Sequence, residues 1–159
     1  MENRVEKAVK LFEAGCSCSQ AVFTAFAGDF GMDEETAMKV SVALGGGMGR
    51  MRETCGAASA MALVAGLKYG STDPSDAAAK SKALDAAKTL AEKFKAENGS
   101  IVCKELLGLA PVGGGMPTAN ESPEPSDRTA EYYKKRPCEE LVGIAARIIG
   151  EKIQVVQNI

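Results

Sequence analysis

Apolar residues recur at helical spacing along most of this chain. Val5, Ala8, Val9 and Phe12 follow the i, i+3, i+4, i+7 rule of one buried helix face, and Gly15 supplies a stop. Ser17 and Gln20 stand three residues apart, the spacing of a capping box, and predict a second helix through Val22, Phe23 and Phe26 to Gly31. Asp33 reads as the cap of a third helix, with Glu34 and Glu35 at its positive end and Ala37, Val40 and Leu44 facing inward. The run GGGMG at residues 45–49 breaks that helix in a turn that needs positive φ. Thr54 is the expected cap of a fourth helix, through Met61 and Val64 to Leu67. Residues 74–98 form the longest helical stretch, with Leu84, Ala87, Ala91 and Phe94 on its inner face and Gly99 as its stop. Ser100 is expected to cap a short helix through Cys103, Leu106 and Leu107. A last helix begins near Pro137 and carries Leu141, Ile144, Ala145, Ile148, Ile149 and Ile153 on one face. Residues 108–126, rich in Gly and Pro, have no periodicity and read as a long loop, either a lid or a surface insertion.

No stretch alternates apolar and polar residues with β-branched enrichment. The fold class is therefore all-α, a single-domain bundle of about six to seven helices over residues 1–159. Composition narrows the function classes. With 19 basic against 21 acidic residues the net charge is −2, so the basic footprint of a nucleic-acid binder is absent. There is no His, which removes His-based triads, His general bases and mixed Cys/His zinc sites. The N-terminal residues lack the unbroken apolar core of a signal peptide, and the apolar run at residues 60–67 is far short of the ~20 needed to cross a bilayer. We expect a cytoplasmic protein with no membrane insertion; a homo-oligomer stays open.

The chemistry then rests on five cysteines: Cys16, Cys18, Cys55, Cys103 and Cys138. An odd number in a reducing compartment argues against a framework of structural disulfides. None forms a CxxC pair, so spacing alone is a weak metal signal. Placement says more, because Cys18, Cys55, Cys103 and Cys138 all fall at predicted helix starts. There, free backbone N–H groups and the helix dipole favour the thiolate, the form that ligates metal or attacks a disulfide. Core filling is the competing role for a free Cys, but it has no reason to prefer helix starts. Other features carry less. The GGGMG run lacks the Lys of a P-loop, so a turn is the better reading than a phosphate cradle. Arg50 and Arg52 read as solvated surface charge, or as neighbours that depress the Cys55 thiol pKa. Glu139 and Glu140 complement the last helix's dipole. Tyr132 and Tyr133 cover the loop or pack in the core, and Met48, Met51 and Met61 read as packing residues.

The order CSQAV at Cys18, GGGMG at Gly45, CGAAS at Cys55, and then lone Cys103 and Cys138 resembles the C_GCAxxG_C_C family over residues 12–149. That family is described as redox-active and has four characteristic cysteines and a CGAxxG signature. The resemblance assigns Cys18, Cys55, Cys103 and Cys138 to the redox or metal site, with Gly45, Gly46, Gly47, Gly56 and Ala57 as supporting residues. Cys16 has no counterpart, and Ala60 stands where the signature has its last glycine. The resemblance also implies an unidentified redox partner or a transporter-associated protein. Two functions follow. One is a redox protein in which the four thiols ligate an iron–sulfur cluster, as electron carrier or sensor, or act as a thiol/disulfide couple without cofactor. The other is a structural or interaction protein whose cysteines pack in the core or form a four-cysteine zinc clip. Thiolate ligands alone do not separate iron from zinc.

Overall fold

The computed structural model describes residues 3–114 and 122–153. Its order is α1 (Arg4–Glu13), α2 (Cys18–Ala27), α3 (Glu34–Ser41), α4 (Gly56–Tyr69), α5 (Ala77–Asn98), α6 (Cys103–Leu106), α7 (Ala130–Lys135) and α8 (Cys138–Lys152), with 3₁₀ turns at Gly28–Phe30 and Val42–Leu44. Among the described residues there is no strand, so the all-α class holds, and the eight helices are close to the number expected. No helix among them is long and apolar enough to cross a membrane.

Helix α2 is central. It is buried nearly all round and packs on α1, α3, α4 and α8, while α5 closes the far side against α4 and α8. Phe12, Phe23, Phe26, Met61, Phe94, Ile148 and Ile149 fill the core between them. Many of the facing positions are alanine, which lets the axes of α2, α4 and α8 approach closely.

Local signals act where they were expected. Asn3 caps α1. Ser17 and Gln20 form the complete capping box of α2. Asp33 caps α3, accepting from Thr36 N at 2.8 Å. Gly31 and Gly99 end their helices in the left-handed conformation. Several expectations are corrected. Thr54 does not cap α4, because its backbone is engaged in an isolated antiparallel bridge with Val102, and Cys55 holds the cap position. Ser100 does not cap α6; its Oγ accepts from Val102 N two residues on, and Val102 stands at the cap. Asp76, rather than residue 74, starts α5. Val40 is 52% exposed, and Ser41 is the buried residue at that end of α3. Leu84 is 65% exposed: α5 meets the core through Ala86, Ala87, Leu90 and Phe94, and Leu84 lies off that packed face. Met61 is buried, but Met48 and Met51 lie 58% and 62% exposed instead of packing. Helix α7, which lies between the 108–126 loop and the last helix and was not expected from the sequence, is capped by Thr129, whose Oγ1 accepts from Tyr132 N at 3.2 Å.

Two positions of α5 give opposite expectations. Phe94→Ala empties a fully buried site and should cost roughly 3–5 kcal/mol. Leu84→Ala should change stability by less than about 0.5 kcal/mol. Urea unfolding of both variants checks this; equal losses would mean that the N-terminal half of α5 is as buried as its C-terminal half.

Candidate functional site

Three cysteines are the first residues of helices: Cys18 of α2, Cys103 of α6 and Cys138 of α8. Cys55 is the cap residue of α4. These four line one cavity of about 320 Å³. Cys16 is not among its lining residues, and its sulfur sits 3.8 Å from the sulfur of Met38.

Different devices bring the four together. Cys55 and Cys103 are joined through the backbone. Cys55 N–H donates to Ile101 O at 2.7 Å, Cys103 N–H to Glu53 O at 2.5 Å and Lys104 N–H to Arg52 O at 3.0 Å, on either side of the Thr54–Val102 bridge. Cys18 and Cys55 are brought together by the crossing of α2 and α4. Gly56 has no side chain at this crossing, and a Cβ there would lie 2.5 Å from Cys18 Sγ and 2.9 Å from Leu44 O. Cys138 arrives with α8, which packs on α2 and α4.

The GGGMG run forms a left-handed turn. Gly46, Gly47, Met48, Gly49 and Arg50 all have positive φ (57–73°), and Arg52 follows at 61°. For Met48, Arg50 and Arg52 this conformation costs about 1–2 kcal/mol each. It is held by Met48 N–H to Leu44 O at 3.1 Å, Gly49 N–H to Ala43 O at 2.8 Å and Glu53 N–H to Gly47 O at 3.0 Å. The Gly47 position admits no side chain, since a Cβ would fall 2.6 Å from Glu53 N. Gly45 is extended and abuts Ser17. The turn gives the supporting residues concrete places: Gly46 N–H and Ala57 N–H are directed at Cys18 sulfur, and Ala57 and Ala58 N–H at Cys55.

It also places arginines that the sequence did not assign to the site. Arg52 is 3% exposed, not solvated, and its Nη1 lies 3.8 Å from Cys103 Sγ. Arg50 lines the cavity and donates to Ser126 Oγ at 3.2 Å. Arg128 donates to the carbonyls of Cys16 (3.0 Å) and Phe12 (3.4 Å), where the chain turns from α1 toward α2. Its guanidinium stacks on Phe12 at 4.5 Å and Tyr132 at 4.9 Å. Arg136 lies over Tyr132 at 4.8 Å. Tyr132 and Tyr133 thus serve as the platform for these cations, edge to face with each other and, through Tyr133, with Phe12. The available sequence signal was slight: Arg128 and Arg136 flank the Tyr132–Tyr133 pair. Of the 108–126 loop, Pro123, Pro125 and Ser126 line the cavity, while residues 115–121 lie outside the described residues.

Electrostatically, burial dominates. The thiols of Cys18, Cys55, Cys103 and Cys138 are all pushed up, with desolvation as the largest cause. Each of Cys55, Cys103 and Cys138 is raised further by neighbouring cysteines of the set. Cys138 reaches about 12. The opposing influences are backbone N–H groups at Cys18 and Cys55, and Arg52 and Arg136 at Cys103 and Cys138. The expectation that helix starts lower these pKa values is therefore overturned: loss of water outweighs the backbone N–H groups and the arginines that favour the thiolates. Among the described residues no three Cys, Asp or Glu side chains gather closely enough to hold a single metal ion.

Residues 16–152 match the model of the C_GCAxxG_C_C family, described as "putative redox-active protein (C_GCAxxG_C_C)". No curated protein and no solved structure matches the chain.

The crossing at Gly56 yields one expectation. Gly56→Ala should destabilise the fold by about 1–3 kcal/mol, since both Cys18 and the Leu44 carbonyl must shift. Thermal and urea unfolding measure it, and a neutral effect would show that the α2–α4 contact is looser than the geometry states. The thiols yield another. Their folded pKa values are raised, so their stabilising contribution is complete below the ordinary thiol pKa of about 8.5 and is lost as pH rises from there. For Cys138 the loss continues through about 12. The Tm of the reduced, metal-free protein should fall between pH about 8 and about 11, and less steeply in Cys138→Ala. A flat or rising profile contradicts the assignment.

Proposed function

Because the chain belongs to the C_GCAxxG_C_C family of four-cysteine, redox-active proteins, we propose that Cys18, Cys55, Cys103 and Cys138 together ligate an iron–sulfur cluster, making the protein an electron carrier or redox sensor that works with a separate redox partner. One observation carries this reading. The four family cysteines, delivered by four helix starts, line a single cavity with no carboxylate among its described lining residues.

The residues present fit the group in ligand chemistry. Iron–sulfur clusters take four thiolates, and backbone N–H groups directed at the sulfurs are among the levers that set their potential. Here Gly46, Ala57 and Ala58 supply such N–H groups. The cavity is roomier than one ion requires, and the thiols do not close on a single-ion site, so a four-cysteine zinc clip is the weaker reading. Bound there, a cluster would supply a one-electron couple. The chain's own part is to release four thiol protons on ligation, to stabilise the resulting negative charge through Arg52, Arg136 and the backbone N–H groups, and to keep water out with Phe12, Leu141 and the prolines of the 122–126 segment. Five free thiols suit a reducing compartment such as the cytoplasm.

The charge coupling among Cys18, Cys55 and Cys103 also supports the thiol/disulfide couple as a second reading. Anaerobic reconstitution with iron and sulfide separates the two. The cluster reading expects stoichiometric iron and sulfide with visible absorbance, lost in Ser variants at each of the four positions and retained in Cys16→Ser. A protein that stays colourless but reversibly loses four titratable thiols on oxidation would replace the cluster with the couple. Zinc bound in its place would establish the clip.

A further inference from the structure

The buried thiols raise a question of access. Cys55 is 6% exposed and Cys103 8%, yet any group they hold, and any reagent that oxidises them, must reach their sulfurs. The starts of α2, α4, α6 and α8 and the left-handed turn wall much of the cavity. Another wall comes from residues 122–136, through Pro123, Pro125, Ser126, Arg128, Tyr132 and Arg136.

That wall is built differently from the core. None of the residues 122–136 whose burial is described is fully buried. Among its described apolar side chains, Tyr132 and Tyr133 pack against the core while still partly exposed. Pro123 and Pro125 have no N–H to bond across to a neighbour. Bonds within the stretch survive if it moves as a unit: Glu124 N–H to Ser122 Oγ (3.2 Å), Thr129 N–H to Asp127 O (3.1 Å) and Tyr133 N–H to Thr129 O (3.3 Å). A segment that buries little apolar surface opens at far lower cost than the whole fold.

Its attachments gather at the end of α1. Arg128 Nη2 donates to Cys16 O at 3.0 Å and Nη1 to Phe12 O at 3.4 Å, with the guanidinium 4.5 Å from the Phe12 ring centroid. Tyr133 OH donates to Glu13 O at 3.4 Å, and its ring meets Phe12 edge to face. A further bond runs from Arg50 to Ser126 Oγ at 3.2 Å. Releasing Arg128 does not orphan the Phe12 carbonyl, which also accepts from Gly15 N–H at 3.0 Å.

We propose that residues 122–136 are a gate over the cysteine cavity, that Arg128 is its latch on the end of α1, and that the thiols are reached by local opening of this gate rather than by unfolding of the core. This goes beyond the function proposed above, because it concerns entry to the cavity and holds for a cluster, a metal ion or an oxidant alike.

Alkylation of the reduced, metal-free full chain by iodoacetamide tests it. The rates at Cys55 and Cys103 are read by peptide mass spectrometry over urea concentrations below the unfolding transition. In the unaltered chain both rates should be nearly independent of urea, the mark of an opening that exposes little surface. Arg128→Gln should raise both at least about tenfold, because the charge-assisted bonds and the stacking are lost. Arg128→Lys keeps the charge but not the planar fork, and its rates should fall between the two. Neither variant should lose global stability, measured by urea unfolding, in proportion to its gain in rate. Rates in the unaltered chain that climb with urea as steeply as global unfolding overturn the proposal, and this measurement decides even if Arg128→Gln does not fold. Equal rates in the three folded proteins, or an acceleration fully matched by lost global stability, also overturn it. No step uses iron: a chain that fails to take up a cluster leaves the gate standing, and a gate that fails leaves the cluster standing.

Discussion

Helix α4 begins against the sulfur of Cys18, and only a residue without a Cβ allows that approach. At Gly56 a methyl group would stand 2.5 Å from the sulfur. The contact fixes how α2 and α4 cross, and much else follows from the crossing. It sets Cys55 beside Cys18 and aims Ala57 N–H at both sulfurs. The Thr54–Val102 bridge then carries the constraint to Cys103, because Cys55 and Cys103 are bonded to each other's segments through the backbone. A single small residue thus governs the relative placement of three thiols.

Two opposing effects meet at the sulfurs. Helix starts and arginines favour the thiolate; removal from water favours the thiol. Desolvation is the larger cause at all four positions. The charged form is therefore held in reserve, stabilised only when positive charge enters among the sulfurs. That arrangement suits thiols that act as a set better than it suits a single exposed nucleophile, which needs a depressed pKa and access.

The left-handed turn at residues 46–50 is the costliest local feature. Met48 and Arg50, and Arg52 just beyond them, adopt a conformation that glycine alone takes without strain. What the strain achieves is visible in its products: Gly46 N–H is directed at Cys18, and Arg52 is turned inward from a polar stretch to reach Cys103. The surrounding hydrogen bonds to residues 43–47 keep the turn from relaxing.

The helices, some of their caps and the all-α class were legible in the residue order because they depend on neighbours within one or two turns. The Ser17–Gln20 box, the Asp33 cap and the glycine stops at Gly31 and Gly99 all act locally. So did the placement of the four cysteines at helix starts, which is a local coincidence repeated four times. Some local readings failed where a distant partner intervened, as when Val102 took Thr54 into a bridge, or where a residue fell off the packed face of its helix, as at Leu84. Only tertiary structure decided that the cysteines share a cavity, that Arg52 is buried, that Arg50, Arg128 and Arg136 join it, and that the thiols keep their protons. Each depends on contacts between segments far apart in the chain and on exclusion of water by the assembled core, and neither periodicity nor spacing encodes those.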